Sequence, residues 1–449
     1  MGKQLKILNW RKACGLSGLM ILHLIACTPT APTPPDVVPV DSLALIRNAF
    51  KPAAACQSCH PNHYQEWQGS MHAYAFTDPV FFALNDIGQG RSGNKLDQFC
   101  IKCHSPVAPL LKEAPPGFDP AALSEIVKDG ISCESCHRLK SATRGKGIDS
   151  FHLEDTRYGP ISDPVENSFH TSVGSRDYKL SGFCSACHDV INENGLRVEQ
   201  TSTEWDKSEY AIMSTECQDC HMPAYQGQAA TGGPVRTVHR HNFTGVDVPL
   251  TPFPGREDTI EQVRQLLENS VTMDVDMPAP DANGETRITV HVRNDFTGHN
   301  IPTGTIFERQ MWLHVSVIDI ESTGEHLLQS GHLDMNGDLF DHHSEFVKNG
   351  ALPADSLLTL FNGTPLKNGV EIPFFWEADS VINRSIPAFQ TRTAVYPVSG
   401  LVRGKYFVLV RLRFRSFPPW LLREIGQPAL IDEVPVFEME KFKKELIVE

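Results

Sequence analysis

Ten of the chain's 12 cysteines fall into five segments of one form, Cys-x-x-Cys-His. They are Cys56/Cys59 with His60, Cys100/Cys103 with His104, Cys133/Cys136 with His137, Cys184/Cys187 with His188, and Cys217/Cys220 with His221. In such a segment two thiols on one short helical turn add across the vinyl groups of haem, and the following histidine ligates the iron from one side. Structural zinc or disulfides also use Cys-x-x-Cys. Neither needs a histidine directly after the second cysteine, and the mature body has no cysteine outside these segments. Five covalently attached haems c are therefore expected. Only some 30 to 50 residues separate successive segments, room for a helix and a loop, so the porphyrins themselves must form the core of this half.

A second imidazole on the opposite face of such an iron makes a low-spin electron-transfer centre. Between Cys56 and Val246 the chain holds six further histidines: His63, His72, His152, His170, His239 and His241. His72 follows Trp67-Gln68-Gly69-Ser70-Met71, His241 lies in His239-Arg240-His241-Asn242-Phe243, and His170 shortly precedes Cys184; these three are the leading distal candidates. His239, His63 and His152 come next, each equally readable as structural. Further on, His299 in Gly298-His299-Asn300-Ile301-Pro302-Thr303-Gly304 is flanked by turn residues. It reads either as a ligand reaching back to an iron or as an ordinary loop histidine.

With these residues in hand, the stretch from about 55 to 246 resembles the multihaem cytochromes of the cytochrome c-554 type, which are similar in haem arrangement to hydroxylamine oxidoreductase and pentahaem nitrite reductase. The resemblance rests on Cys56-Gln57-Ser58-Cys59-His60 followed by Tyr64, Trp67, Ser70 and His72, on Gly130-Ile131-Ser132 before the third segment, and on Cys220-His221-Met222-Pro223 with His241-Asn242-Phe243 behind it. It implies stacked haem pairs, mostly bis-histidine ligation with His72, His170 and His241 as distal ligands, and respiratory electron transfer. The chain departs from that tetrahaem type in its fifth segment and in a large C-terminal part.

The N-terminus reads as an export signal. Lys3, Lys6, Arg11 and Lys12 precede the apolar run from Leu16 to Ile25, which is short for a bilayer span of about 20 residues. Leu24-Ile25-Ala26-Cys27 resembles a lipobox, making Cys27 the expected site of lipidation and the outer membrane the expected location, on its periplasmic or cell-surface side. Residues 28–41 then form a proline-rich tether. A formal charge of -14 excludes nucleic acid and favours redox-partner proteins or an extracellular acceptor.

The expected fold is multidomain: a mainly helical and irregular multihaem domain over residues 42–248, then an all-β sandwich of Ig-like or jelly-roll type, preceded by a helix, over residues 249–449. The helix is read over 258–270 from Ile260, Val263, Leu266 and Leu267 on one face. Strands are read over 286–294, 311–320 and 406–414, where apolar residues alternate. Asp334-Met335-Asn336-Gly337-Asp338 reads either as a Ca2+ loop or as an acidic turn. No catalytic set appears in this half. The expected function is electron transfer in an anaerobic or extracellular respiratory chain. The alternatives are an oxidoreductase of small nitrogen or sulfur compounds with one five-coordinate haem, and a homo-oligomeric subunit of a cytochrome filament.

Overall fold

The computed structural model describes residues 42–147, 151, 154–321 and 324–449. The signal, Cys27, the tether and His152 lie outside them. Regular elements in the N-terminal half are short, because prolines, glycines and Cys-x-x-Cys-His segments recur too closely for long helices. Four of the segments sit on or at the end of single turns: Ala53–Cys56, Ile101–His104, Cys133–His137 and Cys217–His221. The remaining one lies on the turn Ser181–Ala186. The longest helix of this half, Pro79–Ser92, starts where Asp78 accepts the Val80 amide and proline takes the first helical position, and stops at Gly93 with φ of 62°.

A helix over Arg256–Glu268 opens the C-terminal half and buries Val263 and Leu267. Beyond it the hydrophobic period changes from that of a helix to that of a strand, and two antiparallel sheets stack. One runs Thr391–Val398, Thr286–Arg293, Thr272–Asp276. The other runs His326–Ser330, Gln310–Asp319, Gly404–Arg415, Phe437–Val448, with Leu360–Phe361 also on Gln310–Asp319. Register aligns Met311, Leu313, Val315 and Val317 with Phe414, Leu412, Val410 and Val408, all on the inner face. Ile288, Val290 and Val292 supply the facing layer, and all of these are buried in one cluster. A helical cytochrome-like region followed by a β-rich region is thus the observed architecture.

The two regions share packing. Val80 and Leu96 of the helical region belong to the same hydrophobic cluster as the sandwich core, and residues 42–449 form one compact unit. No described helix is long and apolar enough to cross a membrane.

The calcium reading of Asp334 to Asp338 is corrected. Asp334 accepts the amides of Asn336 and Asp338 at 2.8 and 2.9 Å and the Ser344 hydroxyl at 2.6 Å. Asp338 is buried, ion-paired to Arg423, and accepts the Trp420 amide. Internal donors occupy the oxygens a cation would need, so this is an acidic turn.

Candidate haem-binding site

All five Cys-x-x-Cys-His segments open into one cavity of about 1790 Å³. The local sequence explains how they are held there. Ser70 caps the turn Met71–Tyr74, accepting the Ala73 amide. The carbonyl of His72 accepts the Ile131 amide at 3.0 Å, and Ile131 in turn accepts the Trp67 indole at 2.8 Å. Gly130 makes this crossing fit: its φ is 63°, and a Cβ there would stand 2.6 Å from the His72 carbonyl oxygen. Ser132 and Ser135 then close a capping box that starts the helix Cys133–His137. Trp67 is therefore a strut between two segments.

Four of the five proximal histidines face another imidazole across the cavity. His60 faces His170 with ring centroids 6.4 Å apart and planes at 22°. His188 faces His72 at 6.5 Å and 38°, and His137 faces His241 at 6.4 Å and 25°. His221 faces His299 at 6.3 Å and 20°. These spacings fit a metal between the rings. A metal–imidazole bond of about 2 Å, with the nitrogen about 1 Å ahead of its ring centre, places two centroids on one metal about 6 Å apart.

Hydrogen bonds leave Nε2 available. Nδ1 of His60, His137 and His221 meets the carbonyls of Ala229, Tyr158 and Thr244 at 2.6, 2.6 and 2.7 Å. On the opposite side, Nδ1 of His241 and His299 meets His239 O and Asn300 O at 2.9 and 2.8 Å. Burial disfavours the imidazolium form, holding His72 and His241 down to about 3 and His299 to about 4. A neutral imidazole is the form that ligates a metal. Glu66, itself buried, accepts the backbone amide of His241 and pairs with Arg240, which fixes the segment carrying His241.

His104 is different. Its Nδ1 meets Ala75 O at 3.2 Å and Phe81 stacks on its ring at 4.1 Å. Among the described residues no imidazole stands across from it. Its ring is buried and held to about 4.

His239, read as a ligand or as a structural residue, lies apart from the four ring pairs. The strand Val235–His239 pairs with Ala224–Gln228, and Nδ1 of His239 bonds the Met222 carbonyl at 2.7 Å; it faces no proximal histidine. His63 packs 4.6 Å from the His241 ring and likewise faces none. Tyr158 and Tyr178 serve the third segment: the Tyr158 carbonyl receives His137, and the Tyr178 hydroxyl bonds Cys136 O and Leu139 O.

Thiol contacts give the order of the segments in space. Cys56 touches Cys133, Cys103 touches Cys187, and Cys184 touches Cys217. Cys136 is an electrostatic neighbour of Cys184 and Cys187. The line thus runs first, third, fourth, fifth, with the second joined to the fourth. None of the ten thiols is in a disulfide.

Two buried carboxyl groups adjoin this branch point. Glu199 lies next to Cys103 electrostatically, and Glu204 accepts the Asn300 amide and the Thr303 hydroxyl at 3.1 and 2.6 Å. Burial raises both to about 7. A third, Asp78, lines the cavity beside Asp247 and Glu308 and is likewise raised to about 7 by burial.

Residues 55–138 match the family model described as cytochrome c554 and c-prime. No curated protein matches the chain. Among solved structures, the chain is similar to a penta-heme cytochrome c552 from Thermochromatium tepidum, with a TM-score of 0.62 and 20% identity over 89% of this chain and 99% of that one. A PapD-like domain of human CEP192 aligns over 41% of this chain and 89% of its own at 8% identity, but its TM-score of 0.16 bears on nothing here. Residues 55–138 thus resemble the cytochrome c554 family, and the chain as a whole shares the fold of a penta-heme cytochrome, completed by a C-terminal β region.

Proposed function

We propose that the chain carries five covalently bound haems c and relays electrons in an anaerobic or extracellular respiratory chain. The observation that carries this reading is the set of four imidazole pairs spaced 6.3 to 6.5 Å apart. Irons with both axial positions filled cannot take substrate and change little on reduction, which suits a carrier. The ten thiols would form the thioethers, and each paired histidine would supply a nitrogen to the iron. Haem supplies the redox couple; the chain orients it, keeps its ligands neutral and excludes water. The segment order supports electron passage from the first haem through the third and fourth to the fifth, with the second on a side branch.

Export by the N-terminal signal, lipidation at Cys27 and anchorage to the outer membrane complete this reading, supported by the basic start, the apolar run and Leu24-Ile25-Ala26-Cys27. The net charge of -14 favours a basic redox partner or an extracellular acceptor.

His104 supports a second reading, in which the iron of the second segment keeps an open position and reacts with small nitrogen or sulfur compounds. One experiment separates the two: count haems by their pyridine haemochrome, then record EPR and resonance Raman spectra with and without nitrite, hydroxylamine and cyanide. A pure carrier gives five low-spin haems that ignore these ligands. One high-spin haem that binds them supports the open site, and fewer than five haems overturns the assignment.

A further inference from the structure

Away from the haem cavity, the β region carries a second cluster of metal-ligating side chains. Asp341-His342-His343 forms a turn before the short helix Glu345–Lys348, and Glu371 reaches it from the hairpin strand Val370–Glu371. Nε2 of His342 lies 3.1 Å from Oε1 of Glu371. Nε2 of His343 lies 3.5 Å from the same oxygen. On its other side, Nδ1 of His343 lies 3.5 Å from Oδ1 of Asp341. Trp420 stacks on His343 at 4.0 Å and 11°, which fixes the plane of that ring.

These distances decide between two readings. A tetrahedral cation with bonds of about 2.0–2.1 Å keeps its ligand atoms about 3.3 Å apart. The two Nε2 atoms approach one carboxylate oxygen at just such separations. Separate hydrogen bonds to Glu371 are the other reading; the convergence of two rings, with centroids 3.9 Å apart, on a single carboxylate oxygen favours the metal. Asp341 on Nδ1 of His343 supplies what a ligating histidine needs on its other nitrogen. One ligand atom each from Asp341, His342 and His343 lies within 4.8 Å of the others.

We propose that His342, His343 and Glu371 bind a divalent transition metal of the zinc type, with Asp341 orienting His343 and the fourth position open to solvent. Two imidazoles and a carboxylate, with no thiolate, suit zinc, copper(II) or nickel rather than the oxygen-seeking calcium or magnesium. His342 is 65% exposed, so the position opposite is open to water or to a partner's side chain. Because two ligands sit on the turn and one on the hairpin, the metal ties the sheet Val370–Glu371, Gly363–Lys367, Ser380–Asn383 to the body of the sandwich.

The test is calorimetric titration of zinc(II) into the intact haem-loaded protein, with zinc K-edge absorption, which the haem irons do not obscure. One equivalent should bind through two imidazoles and oxygen, raise the melting temperature and leave the haem spectrum unchanged. His343→Ala and Glu371→Gln should each weaken binding by roughly 100-fold or more, and Asp341→Asn by roughly 10- to 100-fold. Equal haem spectra and equal zinc-free melting of the variants show that they fold; His342→Ala serves if one does not. Absence of saturable binding, undiminished binding by Glu371→Gln and His343→Ala, or an edge spectrum without imidazole overturns the proposal.

Discussion

An imidazole that gives its Nδ1 hydrogen to a carbonyl has a fixed tautomer and a fixed direction, and the haem cavity uses this repeatedly. His241 illustrates the economy: its Nδ1 goes to His239 O, its own amide to Glu66, and its Nε2 side to His137. His241→Ala should therefore turn one low-spin haem high-spin, read by EPR at g near 6, whereas His239→Ala should leave the spin states as in the parent. Asp78 makes a second residue-scale prediction. Its folded pKa is raised to about 7 by burial, with Asp247 and Glu308 adding to the effect, against about 4 unfolded. A raised pKa gives stability that is full below pH 4 and lost as pH rises through 7. Asp78→Asn mimics the protonated acid and keeps the helix cap. Its unfolding free energy should match the parent at pH 4 and exceed it at pH 8 by on the order of 1–3 kcal/mol, read by denaturant unfolding at the two pH values. The proximal residues of this site were legible because the chemistry of attachment demands contiguous residues. A distal ligand comes from anywhere in the chain, so His239 and His241, two positions apart, looked alike; strand pairing separates them.

At the scale of elements, the segment Asp295–Thr303 is the telling one. It carries His299 toward His221, and Asn294 holds it at its root. Asn294 is fully buried; its amide donates to His299 O at 2.8 Å and Ile386 O at 3.0 Å, and its oxygen accepts the Thr297 hydroxyl at 2.6 Å. Asn294→Ala removes one of the two donors to each carbonyl, leaving the Thr297 hydroxyl on His299 O and the Ile301 amide on Ile386 O, at about 0.5–1.5 kcal/mol for each bond lost. The expected outcome is a destabilised protein in which the haem on Cys217 and Cys220 shows a mixed spin state; guanidinium unfolding and Raman spectra measure both. The sequence showed turn residues around His299 but nothing that fixed where the turn points. The strands were easier to see. Alternation at Ile288, Val290, Val292 and again from Tyr406 to Phe414 is the direct imprint of one buried face. The strand Gln310–Asp319 is buried on both faces, so only its Leu313, Val315, Val317 half was recognisable. Phe437–Val448 was missed because Lys441, Lys443, Lys444 and Glu445 interrupt its apolar alternation on an edge strand.

For the whole molecule, the β region helps to build the cavity that the five segments line. The sandwich reads from sequence as a separate domain, since no cysteine and no catalytic set lies beyond Val248. The folded chain gives it two direct tasks. It supplies His299, the partner of the fifth segment's His221, and its core takes in Val80 and Leu96 from the helical half. Arg309 adds a third tie, pairing with Asp247 at 2.7 Å from within the β half. A chain ending at residue 248 would thus expose the apolar surface of the helix Pro79–Ser92 and leave His221 without an opposite imidazole. Expressed with haem-attachment machinery, that truncation should aggregate or melt far below the parent. Any soluble fraction should show one additional high-spin haem that binds cyanide, and added imidazole should restore its low-spin spectrum. A truncated protein with parent-like melting and an unchanged spin count would mean that the β region is dispensable to the haems, and the line from the first segment to the fifth would have to end on another ligand.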